Sequence, residues 1–284
     1  MCQTADSIAR SIYDALLKEV RTTPKPGLVD LFSQGAHRDL SVELFERSAQ
    51  VLKPTFRAIA ELALGWEGEL EALFAPVREL GLAGEQAMFA ATGGVNTHKG
   101  ALFSLGILAA VTGYAIKAGL GLESDRLCLL ASAMTKRTLE KEFSQMTLRP
   151  GKTHGELLYL SRGHRGIRGE VMDGFPTIRT HILPLLPPDR DLRDAECVHL
   201  LLVLMAKLED TNVLSRGGEQ ALSYVQASAE QMLLLEPTQR EAEFIVRLEQ
   251  LDQAFIERNL SSGGAADLLG VTLYLHTISR LLQP

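Results

Sequence analysis

The sequence predicts an all-α fold. Apolar residues recur at helical spacing along almost the whole chain, and no series of alternating β-branched and aromatic runs closed by Asn-Gly or Asp-Gly turns competes with them. The breaks between the periodic segments are rich in glycine, proline and polar residues, as helix-to-helix connections are.

Taken in order, Ile8, Ile12, Ala15, Leu16 and Val20 form one apolar stripe with polar residues between them. Segments 42–64 and 70–80 continue the pattern, and 101–116 is uncharged from end to end between Lys99 and Lys117. That stretch is short of the roughly 20 residues that span a bilayer and contains Ser104, Gly106, Thr112 and Gly113, so it reads as a buried core helix. Segments 127–139, 198–208 and 221–235 follow, and Thr238 with Glu241 forms a capping box for a helix running to about Arg258. A last helix follows 267. With no fixed repeat and no low-complexity linker, the expectation is one globular domain over residues 1–284, built of roughly ten helices with polar glycine-rich loops forming the active site.

Composition narrows the function. At 284 residues, 46% apolar and 23% charged, the chain has ordinary globular proportions. A net charge of −6 argues against a dedicated nucleic-acid binder but allows a local basic pocket for a polyphosphate. Cys2, Cys128 and Cys197 are sparse and form no CxxC pair, which fits reduced thiols in the cytosol. No apolar run resembling a secretion signal opens the chain, and a cytoplasmic location is expected.

Five breaks, 22–39, 92–100, 162–176, 210–219 and 259–267, carry more Asn, Asp, Lys and Arg than turning the chain requires. Three of them bear glycines and lead into helices: Gly93 to Gly100, Asp210 to Gly218, and Ser261 to Asp267. A helix N-terminus offers unpaired N–H groups and partial positive charge, so three such ends with Lys99 and Arg216 beside them suit a triphosphate; singly, each is also an ordinary helix start. Gly151-Lys152-Thr153 imitates the end of a P-loop, but Met146 stands where the first glycine belongs and no strand precedes it.

The seven histidines show no zinc spacing. His199 reads as a hydrogen-bonded core residue, and His98, in a polar loop, either touches ligand or braces the loop. Asp30, Glu170, Asp210 and Asp267 are hard oxygen donors in separate loops; each alone fits a cap or an ion pair, and together they fit a Mg²⁺–phosphate site. Arg162, Arg165 and Arg168, close to Glu170 and Asp173, form either a solvated charged face or an arginine clamp on phosphate.

The loops resemble those of the triphosphoribosyl-dephospho-coenzyme A synthases over nearly the whole chain. Thr23-Pro24-Lys25-Pro26-Gly27-Leu28-Val29-Asp30 with Gly35-Ala36-His37 is similar to the family's first signature, and Gly94-Val95-Asn96-Thr97-His98-Lys99-Gly100, the most specific string, to its second. Arg168-Gly169-Glu170 with Gly174-Phe175-Pro176, Asp210-Thr211-Asn212-Val213 with Arg216-Gly217-Gly218, and Gly263-Gly264 with Ala266-Asp267 resemble the remaining three. The last block departs from the family's usual Ser-Pro-Gly-Gly-Ser, with Ser262 and Ala265 in place of the proline and second serine.

The resemblance implies a ribosyl transfer in which the 2′-hydroxyl of 3′-dephospho-coenzyme A attacks the ribose C1 of ATP, adenine leaves, and the triphosphate stays on the product. The sugar linkage inverts from β to α. The product is the prosthetic-group precursor for the acyl carrier protein of citrate lyase or malonate decarboxylase, handed on to a holo-acyl-carrier-protein transferase. Such a displacement passes through an oxocarbenium-like state and needs a base for the hydroxyl. On this reading Glu170 or Asp210 is the catalytic base, and the other of the two, with Asp30 or Asp267, holds Mg²⁺ on the triphosphate. Lys25, Lys99, Arg168 and Arg216 bind phosphates, Asn96 and His98 orient ribose or adenine, and Thr97, Asn212, Gly217, Gly218, Gly263 and Gly264 complete the binding set. Two other readings stand beside it: a hydrolase of nucleotide N-glycosidic bonds, and a non-catalytic ATP-binding partner of a carrier protein.

Overall fold

The computed structural model describes residues 2–146, 153–235 and 241–281. Among them lie eleven α-helices, one π-helical turn and one 3₁₀ turn, and no strand. The helices are α1 (Cys2–Arg21), α2 (Val42–Leu64), α3 (Leu70–Ala91), α4 (Lys99–Lys117), α5 (Ser124–Gln145), α6 (His154–Arg162), α7 (Gly166–Met172), α8 (Asp194–Lys207), α9 (Thr211–Leu233), α10 (Glu241–Glu257) and α11 (Gly263–Leu281). The irregular turns span Ile178–Ile182 and Leu183–Leu185.

The centre is α4. It packs against α1, α2, α3, α5 and α11, and nearly every residue from Ala101 to Ala115 is buried. By length and composition alone this helix, with mean hydropathy 1.5, could cross a membrane. Burial inside the bundle explains its apolar sequence instead: a helix covered on all sides has no polar face to keep. Around it, α2 contributes Leu52, Phe56 and Ile59, all fully buried, and each such side chain contributes about 1.5–3 kcal/mol when taken from water. On the other side α11 presents Leu269, Leu275 and Tyr274, whose hydroxyl meets Thr112 of α4 at 2.8 Å so that neither polar group is stranded. Helix α1 packs on α2 and α11, while α8 joins α9 to α11.

Several boundaries differ from those the periodicity predicts. Helix α3 runs on to Ala91, and α9 begins at Thr211, inside the expected 210–219 loop. The early start of α9 comes from Asp210, whose carboxylate accepts from the N–H groups of Asn212 and Val213 and caps the helix. Gly217 and Gly218, expected in a loop at the site, therefore lie within α9, where Gly218 (φ 68°, ψ −163°) breaks the helical path. Only glycine adopts those angles without steric cost. Likewise the 162–176 break contains the short α7. The Thr238–Glu241 capping box and Gly151-Lys152 lie outside the described residues. Thr153, in contrast, caps α6 in a reciprocal box with Glu156.

Candidate active site

The N-termini of α4, α9 and α11 meet. The physical link is a pair of carboxylates, Asp210 buried and Asp267 half-buried, that each serve a helix other than their own. Asp210 accepts from Asn212 and Val213 of α9 through Oδ1 and from Ala265 of α11 through Oδ2 at 2.9 Å, with the Gly264 N–H beside it. Asp267, in α11, accepts from the Ala101 N–H in the first turn of α4. The approach of α11 to α4 is so close that a Cβ on Gly100 would sit 2.0 Å from Asp267 Oδ2. Each carboxylate thus relieves orphan N–H groups and favours the positive end of a neighbouring helix.

Around this junction opens a cleft of about 600 Å³. Lys25, Asn96, Thr97, His98, Lys99, Arg168, Glu170, Asp210, Asn212, Arg216, Gly263, Gly264 and Asp267 all line it, although they come from five separated stretches of chain. Asp30, Gly217 and Gly218 are not among its lining residues.

The carboxylates differ in how much of their bonding capacity is spent. Asp30 accepts from Thr23 Oγ1, Lys25 N, Phe32 N and Ser33 N, all between 2.8 and 2.9 Å, so all its lone-pair directions serve the 22–40 loop. That is the geometry of a loop brace, and it leaves no oxygen for the metal expected there. Asp210 is committed in the same way to two helix caps, and although burial pushes its pKa up, both of its oxygens are occupied by backbone donors. Glu170 accepts from Thr177 through Oγ1 at 2.7 Å and N at 3.3 Å, and burial pushes its carboxyl pKa up. Asp267 has a single backbone donor. Burial first, then the negative charges of Glu19 and Asp210, raise its pKa well above the ordinary 3.8.

Cationic groups divide the cleft into a floor and a rim. Lys25 is only 2% exposed; its ammonium donates to Glu19 Oε1 at 2.6 Å and to the Glu19 carbonyl at 2.8 Å. Glu19 belongs to α1, where its helical spacing marks it only as one more polar residue. His98 is the N-cap of α4 and lies against the edge of Phe45, with ring centroids 5.0 Å apart. Burial and the nearby Lys25 charge push its pKa down to about 3, so the ring is neutral. Toward solvent, Arg162 pairs with Glu219 and Arg165 with Asp173, whereas Arg168 lies 4.0 Å from Glu142, which Arg78 already holds by both oxygens. Arg168 is therefore the least committed of the three arginines. Lys99 reaches Glu85 at 2.6 Å, and its N–H is capped by Asn96. Arg216 donates to the carbonyls of Ala36 and Asn259 and to Asn259 Oδ1, bracing two loops while facing the cleft. His37, placed by a 2.8 Å bond to Ser261, stands beside it.

The donors of the cleft fit Mg²⁺. The cleft supplies hard carboxylate oxygens, Glu170 among them beside Arg165 and Arg168. Among the described residues no group of three or more His, Cys, Asp or Glu side chains forms a ready-made cage. Mg²⁺ needs none when phosphate and water oxygens complete its shell.

Comparison with known proteins identifies the family. No solved structure matches the chain. It is 41% identical over 279 residues to a probable 2-(5''-triphosphoribosyl)-3'-dephosphocoenzyme-A synthase of Pectobacterium carotovorum, covering 97% of this chain and 90% of the relative. It is also 41% identical over 273 residues to the synthase of that name from Pectobacterium atrosepticum, covering 95% and 88%. The probable synthase of Streptococcus pyogenes serotype M5 is 36% identical, with 97% and 98% covered. A family model described as CitG, ATP:dephospho-CoA triphosphoribosyl transferase, matches residues 5–284. The glycine-bearing helix starts, the buried carboxylates and the arginine rim are thus those of a chain that belongs to the ATP:dephospho-CoA triphosphoribosyl transferase family.

Proposed function

We propose that this cleft transfers the 5-triphosphoribosyl group of ATP to the 2′-hydroxyl of 3′-dephospho-coenzyme A and releases adenine. Family membership carries the reaction. The observation that carries its location is the meeting of three helix N-termini around Asp267, a carboxylate there with a single backbone donor and no cationic partner among the described residues.

In the displacement, the acceptor oxygen bonds to ribose C1, the C1–N9 bond breaks, and the hydroxyl proton leaves to a base while adenine takes up a proton. Asp267 suits the base: its raised pKa gives the carboxylate a stronger pull on a proton than a solvated one has, and its negative charge stabilises the oxocarbenium-like sugar. This exchanges the roles read from sequence, where Glu170 or Asp210 was the base and Asp267 a metal ligand. His98, neutral at working pH, orients the nucleoside as a hydrogen-bond donor and is no general acid. Glu170, nearer the arginines, is the carboxylate that would hold Mg²⁺ on the triphosphate, and the bound ion would neutralise phosphate charge. Arg168, Lys99 and Arg216 take the phosphate oxygens.

The free cysteines fit a cytoplasmic enzyme. Cys128 and Cys197 are buried, and burial pushes the Cys128 thiol up to about 12, which keeps it unreactive. The product would pass to a holo-acyl-carrier-protein transferase serving citrate lyase or malonate decarboxylase. Incubation with Mg·ATP and dephospho-coenzyme A, followed by mass spectrometry, should yield free adenine and the joined product together. Adenine released equally without the acceptor would make the protein an N-glycosidic hydrolase; ATP bound with no adenine released would make it a binding partner only.

A further inference from the structure

Three side chains form a directed chain beneath the cleft floor. Thr97 Oγ1 donates to Ser48 Oγ at 2.7 Å, and Ser48 Oγ lies 2.8 Å from His98 Nδ1. Ser48 is on α2 and fully buried, and its oxygen is already receiving the Thr97 proton. Among the described hydrogen bonds, His98 Nδ1 is the only acceptor within reach of the Ser48 hydroxyl proton. A neutral imidazole that accepts at Nδ1 carries its hydrogen at Nε2. The Nε2 atom is buried, has no hydrogen-bond partner, and belongs to a residue that lines the cleft.

We propose that Ser48 is a positioning residue for the substrate: it fixes His98 as the Nε2–H tautomer, so that the ring presents one neutral donor to the nucleoside half of ATP. An unmade hydrogen bond at a buried donor is costly, and such a group is expected to find its acceptor in the ligand. The acceptor is a sugar oxygen or a ring nitrogen rather than a phosphate. The more exposed cationic groups, Lys99 and Arg168, are at the rim, while the cation nearest His98 is Lys25, whose ammonium is already committed to Glu19. The Phe45 edge limits rotation of the ring, so the Ser48 contact sets the tautomer rather than the ring's position alone. Helical spacing gives no hint of this role, because Ser48 falls among the buried positions of an amphipathic helix.

This inference rests on the nucleotide occupying the cleft, and the two can fail separately. Long-range proton–nitrogen spectra of the isotope-labelled full chain, with the His98 signals identified by their loss in His98→Gln, read the tautomer without any turnover. An unprotonated Nδ1 and a protonated Nε2 are expected in the free protein. ATP should shift the Nε2–H signal, and inorganic tripolyphosphate should not. Ser48→Ala should alter the Nδ1 signal and raise KM for ATP roughly tenfold, while Ser48→Thr, which keeps the hydroxyl, stays within about threefold of wild type. A protonated Nδ1 in the wild-type protein overturns the proposal even if Ser48→Ala does not fold. So does a shift by tripolyphosphate as large as that by ATP, or an altered Nδ1 with unchanged KM. Failure of the proposed reaction would show elsewhere, as absence of adenine in the mass-spectrometric assay.

Discussion

The floor and the rim of the cleft use the same residue types under opposite physical conditions. At the floor, Lys25 and Glu19 pair at 2.6 Å with 2% and 8% side-chain exposure, with Asp210 buried and Asp267 half-buried beside them. At the rim, Lys99 pairs with Glu85 at the same 2.6 Å, but with 49% and 24% exposure. Equal distance does not mean equal energy. A buried charge is weakly screened and shifts its neighbours' pKa values, as Lys25 does to His98 and Glu19 to Asp267. An exposed pair is screened by water and salt and is worth roughly 0.2–1 kcal/mol. The floor is therefore suited to chemistry and the rim to capture.

The sharpest break of that comparison is Asp267→Asn. If the floor does the chemistry, kcat should fall by about 10²–10⁴ with KM for ATP changed little, measured by adenine release. The wild-type enzyme should lose activity as pH falls through the raised Asp267 pKa, so its acid limb lies above the ordinary carboxylate range, and the variant should lack that limb. Stability should move the other way. A carboxyl whose folded pKa is raised favours folding below its unfolded pKa and loses that contribution as pH rises through the folded value. Asp267→Asn should accordingly melt higher than wild type near neutral pH, with the advantage fading toward pH 3.8.

Asp210→Ala tests whether the floor is also the joint of the fold. Removing caps from both α9 and α11 should destabilise by about 2–4 kcal/mol in a denaturant titration, with activity lost through stability. The rim comes next in size. Arg168→Ala should raise KM for ATP roughly tenfold with kcat largely kept, and added salt should raise the wild-type KM in the same direction. Smallest is Lys99→Ala, whose half-exposed ammonium should change KM by less than about threefold. A large kcat effect at Lys99 or Arg168, or a purely KM effect at Asp267, would dissolve the distinction between floor and rim.

Local chemistry made much of this legible beforehand. Periodicity located the helices because an amphipathic stripe is a property of neighbouring residues, and the glycine-bearing starts of α4 and α11 were visible for the same reason. Helix ends were less so. The expected loop at 210–219 became helix because Asp210 caps it, and Gly217 and Gly218 moved away from the site with it. Asp30 and Asp267 look alike as loop acids in a linear reading. One is saturated by four donors and the other has one.

What the sequence determined by itself was the all-helical architecture, the family and the cast of polar loop residues, since each is written in local pattern. Tertiary structure alone decided which of those residues share a cleft, which carboxylate is left unsatisfied, and that Glu19 of α1 and Ser48 of α2 belong to the floor. The reason is that charge state and bonding capacity depend on burial and on partners far away in the chain, such as the 50 residues between Ser48 and His98. No periodicity records such a distance.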